Sequence, residues 1–269
     1  MKQNLALILG TLLGGALWLS ACTTDPATPY IIEGELTNVD DGVEIVLMQH
    51  DGIKGTAIAR DTLEGGRFRF EQMVNDTLDR MSLIAMKNHT VANGFPSMGR
   101  TIYVQPGAKI KVKGNDKNIY TWQVESKVPN QKAFDEFLIP EYNELQVHNA
   151  RSVSLLNRYI TLRNQNASAE RILNIRDQML IINAREDSLQ HIITGKLIEL
   201  MKVRKPSAPW INQLAQMAQS ASLHSDYAYR QDVIDLYESL PVEWKQSARG
   251  QEIHDWLYPA EKKDKEPAI

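Results

Sequence analysis

Apolar positions along the chain follow two different rhythms. From residue 30 to about 126 they alternate with polar ones. Arg67-Phe68-Arg69-Phe70 and Lys109-Ile110-Lys111-Val112-Lys113 place apolar side chains on one face only, as a half-buried strand does. The pattern predicts strands at 31–36, 43–48, 56–60, 67–70, 80–86, 101–104, 109–113 and 121–124. Turn-forming residues separate them, among them Asp40-Asp41-Gly42, Asp51-Gly52, Gly65-Gly66, Pro106-Gly107 and Gly114-Asn115-Asp116. Many short strands at this spacing predict an antiparallel β-sandwich over residues 30–126, with one face of each sheet packed inward and the other wet.

From residue 130 to about 258 the period lengthens to that of a helix. Ile172, Ile175, Met179, Ile182, Leu189, Ile193, Leu197 and Leu200 recur at threes, fours and one seven, which draws a single apolar stripe along one helix from 168 to 203. Gly195 falls inside it and is expected to kink the helix or end it early. Lys205-Pro206 closes the segment, because a residue before proline avoids helical geometry. Further helices are predicted at 208–221, 226–240 and 242–257. An earlier one sets Asp135, Glu136, Glu141 and Glu144 on a solvated face opposite Phe134, Phe137, Leu138 and Leu145. The fold class expected is α+β in two parts: the N-terminal antiparallel β-sandwich, then an all-α helical domain over 130–258, its helices packed antiparallel to bury their stripes. Residues 259–269 form a charged tail.

The N-terminus follows neither rhythm. Lys2 precedes an apolar run from Leu5 to Leu19, the layout of a secretory signal. The run is shorter than the roughly 20 residues a bilayer span needs. It ends in Leu19-Ser20-Ala21-Cys22, which resembles the lipobox of bacterial lipoproteins. That resemblance implies a signal peptide over 1–21, cleavage before Cys22, lipid on the Cys22 thiol and a short polar tether over 22–29. Each buried methylene of an acyl chain is worth about 0.8 kcal/mol, so two or more chains anchor stably. The membrane is thus the first expected partner. Thr23 stands where an aspartate commonly retains Gram-negative lipoproteins at the inner membrane, so the outer membrane is expected, on its periplasmic or surface face.

Cys22 is the only cysteine in 269 residues. With its thiol lipidated, disulfides, a Cys-x-x-Cys pair, a cysteine zinc site and a cysteine nucleophile are excluded together. A net charge of −3 gives no reason to expect nucleic acid as a partner. The six histidines (His50, His89, His148, His191, His224, His254) show no metal-binding spacing, and no Gly-x-Ser-x-Gly or phosphate-binding glycine loop occurs. No metal, cofactor or catalytic residue is expected. Asp187 and His191 share a helix face, a spacing that chance supplies often.

Two weaker signals remain. Tyr120 and Trp122, two apart on a predicted strand, would project from one face and could contact a ligand, although such pairs more commonly cover a core. Asp-Thr-Leu at 61–63 and 76–78, with Asp-Ser-Leu at 187–189, resembles an acceptor motif for O-glycosylation of exported bacterial proteins, which marks Thr62, Thr77 and Ser188.

The order of parts resembles the bacterial lipoprotein family built on the domain of unknown function numbered 4369. The matching stretches are Tyr30-Ile31-Ile32-Glu33-Gly34-Glu35-Leu36, Asp61-Thr62-Leu63 leading into Gly66-Arg67-Phe68-Arg69-Phe70, Ile102-Tyr103-Val104-Gln105-Pro106-Gly107, and Lys205-Pro206-Ser207-Ala208-Pro209 opening a helix. In that family the domain commonly precedes a periplasmic thioredoxin-like domain, and here the chain ends at Ile269, near where one would begin. The resemblance implies a short relative without the redox part. The function expected is a non-enzymatic, lipid-anchored binding or scaffold module for an envelope protein, peptide or glycan. The alternative is an accessory of a thioredoxin-like disulfide reductase system. A hydrolase built from scattered Asp, Glu or His ranks last.

Overall fold

A computed structural model describes residues 28–51, 54–74 and 79–259. The lipobox residues Leu19, Ser20 and Ala21, the lipidation residue Cys22, the acceptor Thr77 and residues 260–269 lie outside the described residues.

Among the described residues nine strands come first: β1 (Tyr30–Leu36), β2 (Glu44–Asp51), β3 (Lys54–Thr62), β4 (Arg67–Gln72), β5 (Asp79–Lys87), β6 (Thr90–Val91), β7 (Arg100–Val104), β8 (Lys109–Gly114) and β9 (Gln123–Glu125). They form two open sheets. The first runs β4-β1-β8-β9; the second runs β3-β2-β5, with β6 and β7 both paired to β5. Alternation in β1, β4 and β8 sends Ile32, Phe68, Phe70, Ile110 and Val112 inward. There they meet Ile45, Leu47, Leu83, Ile102 and Val104 of the second sheet in one apolar core. Gly34 is required at that contact, since a Cβ would run into the Phe68 ring.

The strands depart from the expected antiparallel order at one place. β1 and β8 pair in parallel, Ile31 opposite Lys109 through Leu36 opposite Gly114. The whole second sheet intervenes between them in sequence, so no hairpin dictates their direction. The predicted strand at 121–124 also changes. Residues Ile119–Thr121 form a 3-10 turn capped by Asn118, whose side chain accepts from the Tyr120 backbone N–H, and only Gln123–Glu125 pair as a strand.

Seven helices follow among the described residues: α1 (Pro129–Asp135), α2 (Glu141–Asn164), α3 (Ala169–Val203), α4 (Ala208–Leu223), α5 (Arg230–Glu238), α6 (Val242–Gln246) and α7 (Ala248–Leu257). The helix expected to carry both Phe134 and Leu145 is two, because Pro140 separates α1 from α2. The helix expected at 242–257 is divided at Ser247, whose backbone is extended (φ −66°, ψ 156°) and whose hydroxyl caps α7 by accepting from Gly250 N–H. Gly195 does not end α3, which continues past it and runs about 52 Å at 1.5 Å per residue. Its lack of a side chain serves a close approach instead: a Cβ there would lie 2.8 Å from the Tyr229 hydroxyl.

Ion pairs Lys196–Glu141 and Arg185–Glu144 set α2 antiparallel to α3. A large apolar core gathers the second half of α3 with α4, α5 and α7, and a smaller one (Leu155, Leu162, Ile175, Ile182) fills the far end of the α2–α3 pair. Among the described residues no helix is long and apolar enough to cross a membrane.

Candidate functional site

The outer face of the second sheet is the place where the two halves meet. With Met81, Leu83 and Ala85 turned into the core, β5 presents Arg80, Ser82 and Ile84 outward, and β7 presents Thr101 and Tyr103 beside them. Polar contacts tie this face to the helices. The buried Gln131 of α1 accepts from Tyr103 N–H at 2.9 Å, satisfying a donor on the free edge of β7. Asn212 of α4 donates to the Tyr103 hydroxyl at 3.3 Å. In the loop before β7, Ser97 donates from both N–H and hydroxyl to Asn149 of α2, at 2.7 and 2.8 Å.

The halves do not close completely, and a cleft remains. Its outer part has a volume of about 380 Å³ and is bounded by His50, Arg80, Ser82, Arg249 and Trp256. Its inner part, about 210 Å³, is walled by Arg100, Gln146 and the rings of Tyr103, Tyr120, Phe134, Phe137 and Tyr142. Arg80, Met98, Gly99, Thr101 and Gln216 border both, so the two are parts of one space. Three arginines and a histidine line it, and no carboxylate does. Two of these charges are paired just outside the wall, Arg100 with Asp135 and Arg249 with Glu252.

Arg100 is the most constrained of these groups. Its side chain is only 5% exposed, and its Nη2 donates to Asp135 at 3.0 Å. The guanidinium also lies over the Phe134 ring, 5.9 Å from the centroid. Burial lowers its pKa and Asp135 opposes that shift; an arginine stays charged through such a change. Yet its Nε–H has no partner among the described residues, and neither does the Oε1 of Gln146, itself 4% exposed. The Gln146 amide nitrogen reaches only the Met98 sulfur, at 3.4 Å. Arg249 pairs with Glu252 and lies over Trp256, and its Nε too lacks a partner among the described residues. Buried polar groups are nearly always hydrogen-bonded, and these three atoms, on residues that border the cleft, are themselves closed off from solvent.

Burial also governs the tyrosines. It pushes the Tyr142 phenol up to about 12. It raises Tyr103 too, against the pull of the Asn212 hydrogen bond and of nearby Arg80 and Arg249. Tyr120 is raised by burial, then by its neighbour Tyr142.

The two aromatic residues singled out by spacing do not share a face. Tyr120, in the 3-10 turn, points toward the helices, donates to Ile139 C=O at 2.6 Å and packs on Tyr142 with centroids 5.4 Å apart. Trp122 points the other way, into the core of the strand region, where it is 1% exposed and donates from its indole to Asp116 C=O at 3.0 Å. Trp122 is therefore a core residue, and Tyr120 alone borders the cleft. The cluster Asn115-Asp116-Lys117-Asn118 just upstream signalled the turn that separates them.

Thr62 and Ser188 are exposed, on β3 and α3. His191 contacts Tyr229 (Nε2 to hydroxyl, 3.2 Å). Among the described residues no three metal-ligating side chains gather.

Two larger concavities, of about 920 and 820 Å³, lie on the outer face of the first sheet. Their charges already pair, Arg69 with Glu33 across to β1 and with Glu71 along β4, and Lys113 with Glu125 across to β9. Exposed pairs of this kind describe a solvated sheet face.

At the cleft mouth, His50 Nε2 and the Ser82 hydroxyl lie 2.7 Å apart. This is half of a nucleophile–base arrangement. However, Ser82 sits mid-strand, flanked by Met48 on β2 and Thr101 on β7, so the neighbouring backbone donors serve the sheet rather than a developing oxyanion. The arrangement is suited to holding an anionic or hydrogen-bonding group. No family model, curated protein or solved structure matches this chain.

Proposed function

We propose that this chain is a non-catalytic binding module of the bacterial cell envelope, held at a membrane by lipid on Cys22, with the cleft between the second sheet and the helices as its ligand site. The two sheets are read here as an open β-sandwich that serves as the rigid wall of that site. One observation carries the proposal. Arg100 is buried, charged and anchored by Asp135 at the wall of a cleft that no carboxylate lines, and a cleft walled in this way suits an anionic or hydrogen-bond-accepting ligand. The outer-membrane assignment follows from Thr23 after the cysteine. Since Cys22 is the only cysteine, an accessory role beside a thioredoxin-like reductase would leave all redox chemistry to the second protein.

The test is a crosslinking capture from intact cells, comparing the native chain with Gln216→Trp. Gln216 is exposed on α4 and borders both parts of the cleft, so the indole fills the space while leaving both cores alone. The native chain should return a ligand or partner that Gln216→Trp does not. Equal capture by both, or none by either, would refute the cleft as the site.

A further inference from the structure

We propose that the free end of the α2–α3 hairpin is a peripheral membrane-contact surface, whose partner is the headgroup layer of a bilayer containing anionic phospholipid. It rests on the reading of Cys22 as a lipid anchor in one respect: the anchor would keep the hairpin within reach of a bilayer.

This end of the hairpin has little interior in which to bury apolar groups. Its small core holds only Leu155, Leu162, Ile175 and Ile182. Several large apolar residues come one position after a residue of that core or of its margin. Leu156 follows Leu155, Ile160 follows Tyr159, Leu173 follows Ile172 and Leu180 follows Met179. One step along a helix turns the side chain by about 100°. On two antiparallel helices that face each other, the same turn leads to the same side of the pair. These four side chains therefore share one side of the hairpin, and they are 45–64% exposed. An apolar cluster of this kind marks a surface that meets a partner or a membrane.

Charge decides which. Arg163 follows Leu162 and Arg176 follows Ile175, so the same step puts both guanidinium groups on the apolar side, and both are exposed. Arg163 lies over the Tyr159 ring, 5.9 Å from its centroid, and donates to the Tyr159 hydroxyl at 3.3 Å. Asp177 lies one position further round α3, on its outer shoulder with Ile181. From residue 151 to 180 the chain carries five arginines against Glu170 and Asp177, a local charge of +3 in a chain of net charge −3. A second copy packed face to face would bring the two arginines of each chain against those of the other, and like charges oppose that contact. Phospholipid phosphates accept from these arginines instead, while the leucine and isoleucine side chains reach the acyl boundary. Apolar residues flanked by arginine in this way describe a helix pair lying in the interface plane of an anionic bilayer.

The test uses the chain from residue 23, without lipid, which keeps every described residue and so all three cores. Partition is measured by co-sedimentation with vesicles of phosphatidylethanolamine and phosphatidylglycerol, and with vesicles of phosphatidylcholine alone. Binding to the anionic vesicles should be at least about tenfold tighter, since each arginine near an anionic surface contributes roughly fivefold. Arg163→Gln with Arg176→Gln should remove that preference, and Arg163→Lys with Arg176→Lys should keep it. Leu173→Gln with Leu180→Gln should weaken binding to the anionic vesicles by about tenfold or more. Leu223→Gln, at a leucine of α4 that is 71% exposed, should change nothing. Equal binding to both kinds of vesicle, binding untouched by either pair of glutamine substitutions, or no binding at all overturns the inference. So does a dimer in solution that Leu173→Gln with Leu180→Gln dissociates and that ignores vesicles, which assigns the patch to a second copy. None of these readouts involves Cys22, so the anchor can fail while the surface stands, and the reverse.

Discussion

Removing Asp135 tests the physical basis of the site without any ligand. Asp135 accepts from Arg100 Nη2 at 3.0 Å and from Gln131 Nε2 at 3.1 Å, so it is the hub of a three-residue network at the edge of β7. Breaking a buried pair by deleting one partner costs about 3–5 kcal/mol, chiefly because the surviving charge is left in a poor solvent. Here the survivor, Arg100, is 5% exposed, whereas Asp135 is 35% exposed, and water entering on its side softens the loss. Asp135→Ala should therefore cost about 2–3 kcal/mol. Arg100→Met removes the charge together with its desolvation cost and fills similar volume, so it should cost only about 1 kcal/mol. The double variant should be more stable than Asp135→Ala alone, because no stranded guanidinium remains. Urea denaturation followed by circular dichroism gives the midpoints, and unchanged m-values show that compactness is not altered. If Asp135→Ala costs under about 0.5 kcal/mol, or if the double variant is the least stable of the three, Arg100 is not the strained buried cation described here.

Three further outcomes follow from other parts of the molecule. Gly195→Ala alone should be neutral or destabilising because the new methyl meets the Tyr229 hydroxyl; in a Tyr229→Phe background the same change should gain about 0.5–1 kcal/mol of helix propensity, measured as a shift in thermal midpoint. Trp122→Ala should cost about 3–5 kcal/mol by opening a cavity in the strand core without changing capture at the cleft, whereas Tyr120→Phe should cost about 1 kcal/mol through the lost bond to Ile139 C=O. Cys22→Ser should move the protein from the membrane to the soluble fraction or leave an unprocessed precursor, as read by fractionation and intact mass; unchanged membrane partition would refute the lipid anchor.

The parts of the fold that were legible are those where one face of an element is buried and the other is wet. β1, β4 and β8 alternate because the core lies on one side and water on the other, and α3 shows its stripe for the same reason. The errors came from contacts that are not local. Tyr120-Thr121-Trp122 alternates like a strand, yet its two rings serve different cores, one on each side of a 3-10 turn. The parallel pairing of β1 with β8 depends on a partner almost eighty residues away. The site was hidden for a stronger form of that reason. His50, Arg80, Arg100, Gln146 and Arg249 come from β2, β5, β7, α2 and α7, and each looks unremarkable where it stands. One signal was present: the outward positions of β5 and β7 carry Ile84 and Tyr103, apolar enough to indicate that something covers that face.

What covers it explains why a binding cleft arises at this junction. The strand region and the larger helical core each bury their own apolar residues, so neither needs the other to complete its core. Their seam combines ring contacts, such as Tyr103 on Phe134 and Tyr120 on Tyr142, with the polar ties Gln131–Tyr103, Asn212–Tyr103, Ser97–Asn149 and Arg100–Asp135. Hydrogen bonds of this sort contribute only about 0.5–1.5 kcal/mol each after the loss of water, so the seam fixes geometry more than it adds stability. A ligand in the cleft would contact both halves at once. Its binding free energy would then appear as added stability of the whole fold, growing with ligand concentration relative to Kd. Thermal midpoints measured with and without a captured ligand therefore report on the seam itself, and a ligand that bound elsewhere would raise the midpoint equally in Gln216→Trp.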